Sequence, residues 1–171
     1  MKIKYTSLEL PTGLAFAAAT DAGLTRLSLR EHSLADFINE LEAEFGMSPV
    51  EDGRPFLTLK KELNSYFKGE PVSFTTRLDL RGTEFQVRVW HALLNVPYGN
   101  VRSYRWLAAM AGNPQAARAV GGALNRNRVA VVVPCHRVVE ASGGLGGFGY
   151  GLDIKRRLLE LEGVLPPYAA Q

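Results

Sequence analysis

The sequence is short of cysteine, of long apolar runs and, over about a third of its length, of acid. Cys135 is its only cysteine in 171 residues. One thiol cannot close an internal disulfide or build a cysteine-rich zinc site, so a disulfide scaffold and a zinc ribbon are both excluded, and no metal is expected. No apolar run reaches the roughly 20 residues a bilayer-spanning helix needs. The first residues, Met1-Lys2-Ile3-Lys4-Tyr5, lack the apolar stretch and small-residue cleavage site of a secretion signal, which predicts a reduced, cytoplasmic protein. The glycine-rich stretch Ser142–Gly151 lacks both dinucleotide-binding spacing and a phosphate-loop lysine, so neither nucleotide cradle is present and no cofactor is expected.

What is there has ordinary globular composition, 46% hydrophobic and 22% charged. The length allows one good core or two small domains. Charge is unevenly spread. Residues 1–84 hold ten Lys and Arg against thirteen Asp and Glu, whereas residues 85–171 hold ten against four. Between Glu84 and Glu140 no acid occurs, and Arg88, Arg102, Arg105, Arg118, Arg126, Arg128 and Arg137 stand there without a single lysine. A solvated basic face would suffice to explain this, but the planar fork of arginine also suits bidentate phosphate contact, which points to a polyanion.

The first part reads as a small α/β domain. Leu14–Ala17 and Leu24–Leu29 are strand candidates around the turn at Asp21-Ala22-Gly23. Ser33 and Asp36 read as a capping box, opening a helix with Leu34, Phe37, Ile38, Leu41 and Phe45 on one face. A second helix is predicted from Pro55 to Gly69, and residues 70–82 form an extended connector. Nothing in this half looks catalytic. Beyond it the pattern changes to short helices. Thr83-Glu84-Phe85-Gln86 is another capping box, with Phe85, Val89, Trp90 and Leu93 as the buried stripe. Ser103 caps a helix to Met110 or Ala111. Gly112-Asn113-Pro114 turns the chain, with Asn113 as N-cap of a helix over Gln115–Leu124. Two short helices joined this closely have helix-turn-helix spacing. The second contains Ala117, Arg118, Ala119, Gly121 and Gly122. Paired glycines inside a helix cost about 1 kcal/mol each relative to alanine. They suit either close helix packing or close approach to a DNA backbone.

Cys135 lies in Pro134-Cys135-His136-Arg137-Val138, after the run Val129–Val133, which reads as a buried strand stopped by Pro134. A lone cysteine beside valines is commonly core. Here, however, two basic side chains follow immediately, and nearby positive charge favours the thiolate. The last helix is predicted over Asp153–Glu162, with Ile154, Leu158 and Leu161 as its apolar stripe. Glu162 falls on that stripe, at the negative end of the helix dipole, and needs a partner. His136 would give a Glu–His–Cys arrangement; a frayed, exposed Glu162 pairing with an arginine is the alternative.

These residues closely resemble the O6-alkylguanine-DNA alkyltransferases, the methylated-DNA–protein-cysteine methyltransferase family. The resemblance rests on Pro134–Val138, Ala117–Ala123 and Leu158–Gly163. It extends through Leu78-Asp79-Leu80, Gly82–Gln86, Val89-Trp90, Pro97-Tyr98-Gly99 and Ser103-Tyr104, and in the first half only to Tyr66–Gly69. It implies an α+β fold, with a small ribonuclease-H-like α/β domain over 1–78 and a mostly helical domain over 79–171 bearing a winged-helix-like helix-turn-helix. It implies repair of duplex DNA, with Cys135 taking the alkyl group of O6-alkylguanine irreversibly after base flipping; O4-alkylthymine stays open as a second substrate. By the same resemblance His136 deprotonates the thiol through a water and Glu162 orients the imidazole. Asn127 ties the DNA-binding helix to the cysteine segment, and Tyr104 protonates the departing guanine. Arg118 fills the space of the flipped base. Ala117, Ala119, Gly121, Gly122 and Arg126 face DNA, and Pro134, Phe148, Gly149 and Tyr150 wall the pocket. The protein is expected to act as a monomer, with cooperative binding along DNA left open, and without any membrane. Where relatives commonly have Gly-Tyr followed by small residues, this chain has Gly147-Phe148-Gly149-Tyr150, and Tyr150 is expected to narrow the pocket mouth. A cysteine hydrolase, a non-transferring lesion-binding protein and a redox sensor are the competing readings. The second would lack the cysteine, and the first usually draws its histidine from a distant segment.

Overall fold

The computed structural model describes residues 1–29 and 33–168, which fall into two compact units, Met1–Leu80 and Arg81–Gln171. In the first unit, β1 (Lys4–Leu10), β2 (Gly13–Ala19), β3 (Leu24–Ser28) and the short β4 (Val50–Glu51) form one sheet of order β3-β2-β1-β4. β1–β2–β3 is an antiparallel meander and β4 joins parallel to β1. The helix α1 (Leu34–Phe45) begins at Ser33, whose Oγ accepts the Asp36 N–H, and ends at Gly46 in the left-handed region, which glycine enters without strain. Its Phe37 and Leu41 pack on Ile3, Tyr5, Phe16 and Ala18 of the sheet, while Leu34 stays at the surface. The chain then forms a 3-10 turn at Arg54–Phe56 and α2 (Leu57–Phe67), which buries Leu59, Leu63 and Tyr66. The connector is extended as expected. Its end is tied to this unit, since Leu78 bridges Leu24 and Thr20 donates to Asp79 at 2.6 Å.

The second unit starts with α3 (Glu84–Leu93), where both halves of the Thr83–Gln86 capping box are present. Trp90 on its inner face donates its indole N–H to the Ala123 carbonyl at 2.9 Å, which fixes α3 to the helix that carries Ala123. α4 (Tyr104–Met110) follows the short β5 (Arg102–Ser103) and is capped by Ser103, as the sequence predicts. α5 (Ala117–Asn125) starts two residues later than expected. Asn113 is not its N-cap. Its side chain instead accepts the Gln115 N–H in a local turn, so the first residues after Pro114 are spent on that turn.

The valine run is the clearest departure. Val129–Val133 is fully buried but is no strand. Val132 donates to the Ala130 carbonyl at 2.8 Å and Cys135 to the Val133 carbonyl at 2.8 Å, so two three-residue turns follow each other. Val131, at the centre of the first, has φ 70°, a costly state for a β-branched residue. A 3-10 turn at Cys135–Arg137 leads into β6 (Val138–Val139), which pairs parallel with β5. α6 (Leu152–Leu161) closes the unit. Val101, Val139, Leu159 and Tyr168 form a small core under the cysteine segment.

Candidate active site and DNA-facing helix

Cys135 is buried at 7% exposure, and Asn127 organises its approach. The Asn127 Nδ2 group donates to the Val133 carbonyl at 2.9 Å and reaches Cys135 Sγ at 3.1 Å, while its Oδ1 accepts the Val129 N–H at 3.0 Å. One side chain thus pins both ends of the coiled valine segment, which explains why strand-prone residues form turns here. Burial pushes the Cys135 thiol up from its ordinary value; the Asn127 hydrogen bond and the nearby Lys155 charge pull the other way without cancelling it. The resting sulfur is therefore protonated and needs a base.

The candidate for that role is the next residue in the chain. His136 is wholly buried, and its Nε2 lies 2.7 Å from Glu162 Oε2. Glu162, the C-cap of α6, is neither frayed nor exposed, and both partners weighed for it are present. Arg137 Nε donates to Oε1 at 2.7 Å, with Nη2 at 2.5 Å from the same oxygen, and Nη1 donates to the Val96 carbonyl at 2.7 Å. Burial alone would push the Glu162 carboxyl up, but His136 and Arg137 outweigh it and hold it below its ordinary value. Burial lowers His136, Glu162 pulls it back up, and Arg137 and Lys155 lower it further, so the imidazole is neutral at rest. The Pro97–Gly99 turn supports this cluster: Tyr98 donates to the Leu161 carbonyl at 3.0 Å and its ring lies under the Arg137 guanidinium.

Sequence reasoning missed Lys155. Its side chain is completely buried, and Nζ donates to the Val138 carbonyl at 2.6 Å and the Gly147 carbonyl at 2.9 Å. It thereby clips the glycine-rich loop to the cysteine segment. Desolvation lowers it to about 8. The signal was available, because Lys155 falls on the buried stripe Ile154, Leu158, Leu159, Glu162, whereas Arg156 and Arg157 beside it are exposed.

The thiol opens into a cavity of about 110 Å³ lined by Tyr104, Gly121, Leu124, Asn125, Cys135, Gly147, Phe148 and Gly149. Burial raises the Tyr104 phenol, and the Gly147 backbone bonds to it. A β-carbon on Gly146 would come within 2.7 Å of the Tyr104 hydroxyl, so this loop position admits no side chain. Pro134 and Tyr150 lie outside the lining, and Tyr150 packs on Phe148 with ring centroids 5.6 Å apart. On α5, Val120 and Ala123 face inward, and Arg118, Ala119 and Gly122 face out, with Ala117 and Gly121 half-buried and Arg126 exposed just beyond. A β-carbon on Gly121 or Gly122 would meet nothing within 4 Å. Close helix packing is therefore not what requires the glycine pair; they keep an outer surface low.

Two family models match the chain. The 6-O-methylguanine DNA methyltransferase DNA-binding domain covers residues 84–164, and the ribonuclease-like domain of the same proteins covers residues 3–80. The chain belongs to the 6-O-methylguanine DNA methyltransferase family. Among the relatives of this family, the methylated-DNA–protein-cysteine methyltransferase of Mycolicibacterium paratuberculosis is 44% identical over 94% of this chain and 92% of its own length. That of Methanosarcina acetivorans is 43% identical over 93% of this chain and 97% of its own. The crystal structure of Mycobacterium tuberculosis OGT in complex with DNA matches with a TM-score of 0.81 at 43% identity, covering 94% and 93% of the two chains. The mixed architecture expected from the sequence, an N-terminal sheet unit followed by a helical DNA-binding unit, is that of the 6-O-methylguanine DNA methyltransferases. No helix among the described residues is long and apolar enough to cross a membrane.

Proposed function

We infer that this protein repairs alkylated DNA by moving the alkyl group from O6 of guanine to Cys135, once per molecule. The observation that carries this is the lone thiol, lining a small cavity and followed in the chain by a buried, neutral imidazole backed by a carboxylate. His136 takes the thiol proton, relayed by a water, and Glu162 holds its ring. The sulfur attacks the alkyl carbon, the carbon–O6 bond breaks, and the electron pair leaves with guanine. Tyr104, which lines the same cavity, gives the base a proton at N3 as it departs. A thioether is a poor leaving group, so no step regenerates the thiol and the protein is spent.

The alkyl carbon is reached only when the base leaves the stack. Flipping costs a few kcal/mol, which an inserted side chain offsets. The exposed Arg118, rising from a helix of Ala117, Ala119, Gly121 and Gly122, suits that role, since the small residues let the backbone lie close in a groove. Arg126 suits a phosphate contact. Lesions occur in any sequence, so binding through phosphates rather than base edges is what repair requires. Because the substrate is DNA, we place its work where the chromosome is, the cytoplasm in bacteria and archaea such as the relatives' hosts.

Peptide mapping after incubation with a duplex carrying one O6-methylguanine tests the reading. One methyl on the Cys135 peptide is expected. Methyl on another residue, or release of the methyl to solvent as a hydrolase would do, overturns it.

A further inference from the structure

Glu162 is a single buried carboxylate with two basic claimants, His136 on one oxygen and Arg137 on the other. Which of them neutralises it decides the chemistry of the site. If the histidine did, the resting pair would be carboxylate and imidazolium, and the imidazole could not accept a proton. We propose that Arg137 sets the resting charge of His136: by neutralising Glu162 it keeps the imidazole neutral, with its proton on Nε2 and Nδ1 left as the basic nitrogen. This rests on the reading of His136 as the base for Cys135.

The geometry supports this assignment. Arg137 puts two nitrogens on Glu162 Oε1, at 2.7 and 2.5 Å, and anchors its third on the Val96 carbonyl at 2.7 Å. It is held by three bonds, so it cannot swing away, and it is 6% exposed, so water does little to screen it. Guanidinium and carboxylate sum to zero charge. Adding a proton to His136 would then leave a net positive charge in a fully buried site, with Lys155 also near. The charged groups that act on His136 are thus Lys155 of α6, Glu162 at its C-cap and Arg137 in the same 3-10 turn. Of these, Arg137 is the one that competes directly for the carboxylate. The Nε2 proton donates to Glu162 Oε2, which directs any incoming proton to Nδ1. Arg137 touches neither the sulfur nor the cavity and so acts as a positioning residue.

The test compares the full chain with Arg137→Lys, which keeps the charge, and Arg137→Gln, which keeps hydrogen bonding without it. Imidazole nitrogen NMR reads the state of His136 between about pH 5.5 and 9, and single-turnover methyl transfer is followed over the same range. The wild type and Arg137→Lys are expected to show a neutral Nε2–H imidazole around pH 7. Arg137→Gln is expected to show an imidazolium there. Its transfer rate should fall more than about tenfold below that of Arg137→Lys near pH 6.5, with the gap closing toward pH 9, because the acidic limb moves up by about two units. A wild-type imidazolium near pH 7 overturns the proposal even if neither variant folds, as does a folded Arg137→Gln with the wild-type titration and pH profile. The spectrum needs no DNA. A protein that transfers no methyl would therefore refute the function, while the charge of His136 is still read separately.

Discussion

The two units of this chain bury charge differently. In the first, Arg26 is the one buried ionisable side chain among the described residues apart from tyrosine, and it meets Glu40 and Glu44 of α1 at the rim of an otherwise apolar core. In the second, His136, Arg137, Lys155 and Glu162 are all buried, and hydrogen bonds tie Lys155 and Glu162 to the segment that follows the only thiol. Each carries a desolvation cost that an apolar side chain would avoid. A fold built for stability alone would not gather four of them around a cysteine; the first unit, of similar size, does without. A cluster of buried charge sets the second unit apart, whereas the first holds a single buried ionisable side chain of this kind, Arg26.

Substitutions can break that contrast, and the largest effect is expected at the sulfur. Cys135→Ser should abolish transfer, by at least about a thousandfold, since the hydroxyl is a far weaker nucleophile at this site, while stability changes within about 1 kcal/mol. Single-turnover repair and urea unfolding read the two. Glu162→Gln comes next. It leaves Arg137 buried without a counter-charge, so we expect a stability loss of about 3–5 kcal/mol, together with about a hundredfold loss of transfer. The Glu162 carboxyl is held below its ordinary value, so its contribution is present above the unfolded range, near 4, and disappears as pH falls through the lower folded value.

Lys155→Met separates stability from activity. Lys155 is lowered to about 8, so below that pH the folded protein must hold a buried cation that the unfolded chain holds in water. The penalty is full below about 8 and is relieved as pH rises toward the ordinary lysine range near 10.5. Lys155→Met should erase that high-pH gain in urea unfolding and keep most of its stability near neutrality. Transfer should drop about tenfold, as the loop loses its clip and the thiolate its nearby cation. Smaller still is Tyr150→Gly. Tyr150 is outside the cavity lining but packs on Phe148, which is part of it, so the benzyl-to-methyl rate ratio should rise a few-fold, within the roughly 1–3 kcal/mol that pocket shape controls. An unchanged ratio removes Tyr150 from specificity. Last, Arg26→Met should change stability by about 1–3 kcal/mol and leave transfer within about twofold. A larger effect on rate would end the division between scaffold and site.

Much of this contrast was legible in the sequence. The Thr83–Gln86 box and the Ser103 cap are local chemistry, and local chemistry survives folding. Glu162 was visible as a misfit, a carboxylate on an apolar stripe at the wrong end of a dipole. The same stripe contains Lys155, which went unread because a lysine among arginines looks like a solvated face. The glycine pair on α5 could not be assigned from composition, because its meaning depends on the empty space around it. Val129–Val133 was misread as a strand because β-branched residues favour strands on average, whereas here one asparagine, Asn127, supplies the hydrogen bonds that a partner strand would have supplied. β1 was missed because Thr6 is buried among its neighbours and breaks the period-two alternation.

The central claim is a thiol served by buried charge and used once. The direct measurement is a titration of the full chain with excess duplex bearing O6-methylguanine, counting lesions repaired per protein at completion. The account predicts a plateau at one, however long the incubation, with loss of the free thiol in the same proportion. A count that keeps rising past one, or repair with the Cys135 thiol still free, would contradict it.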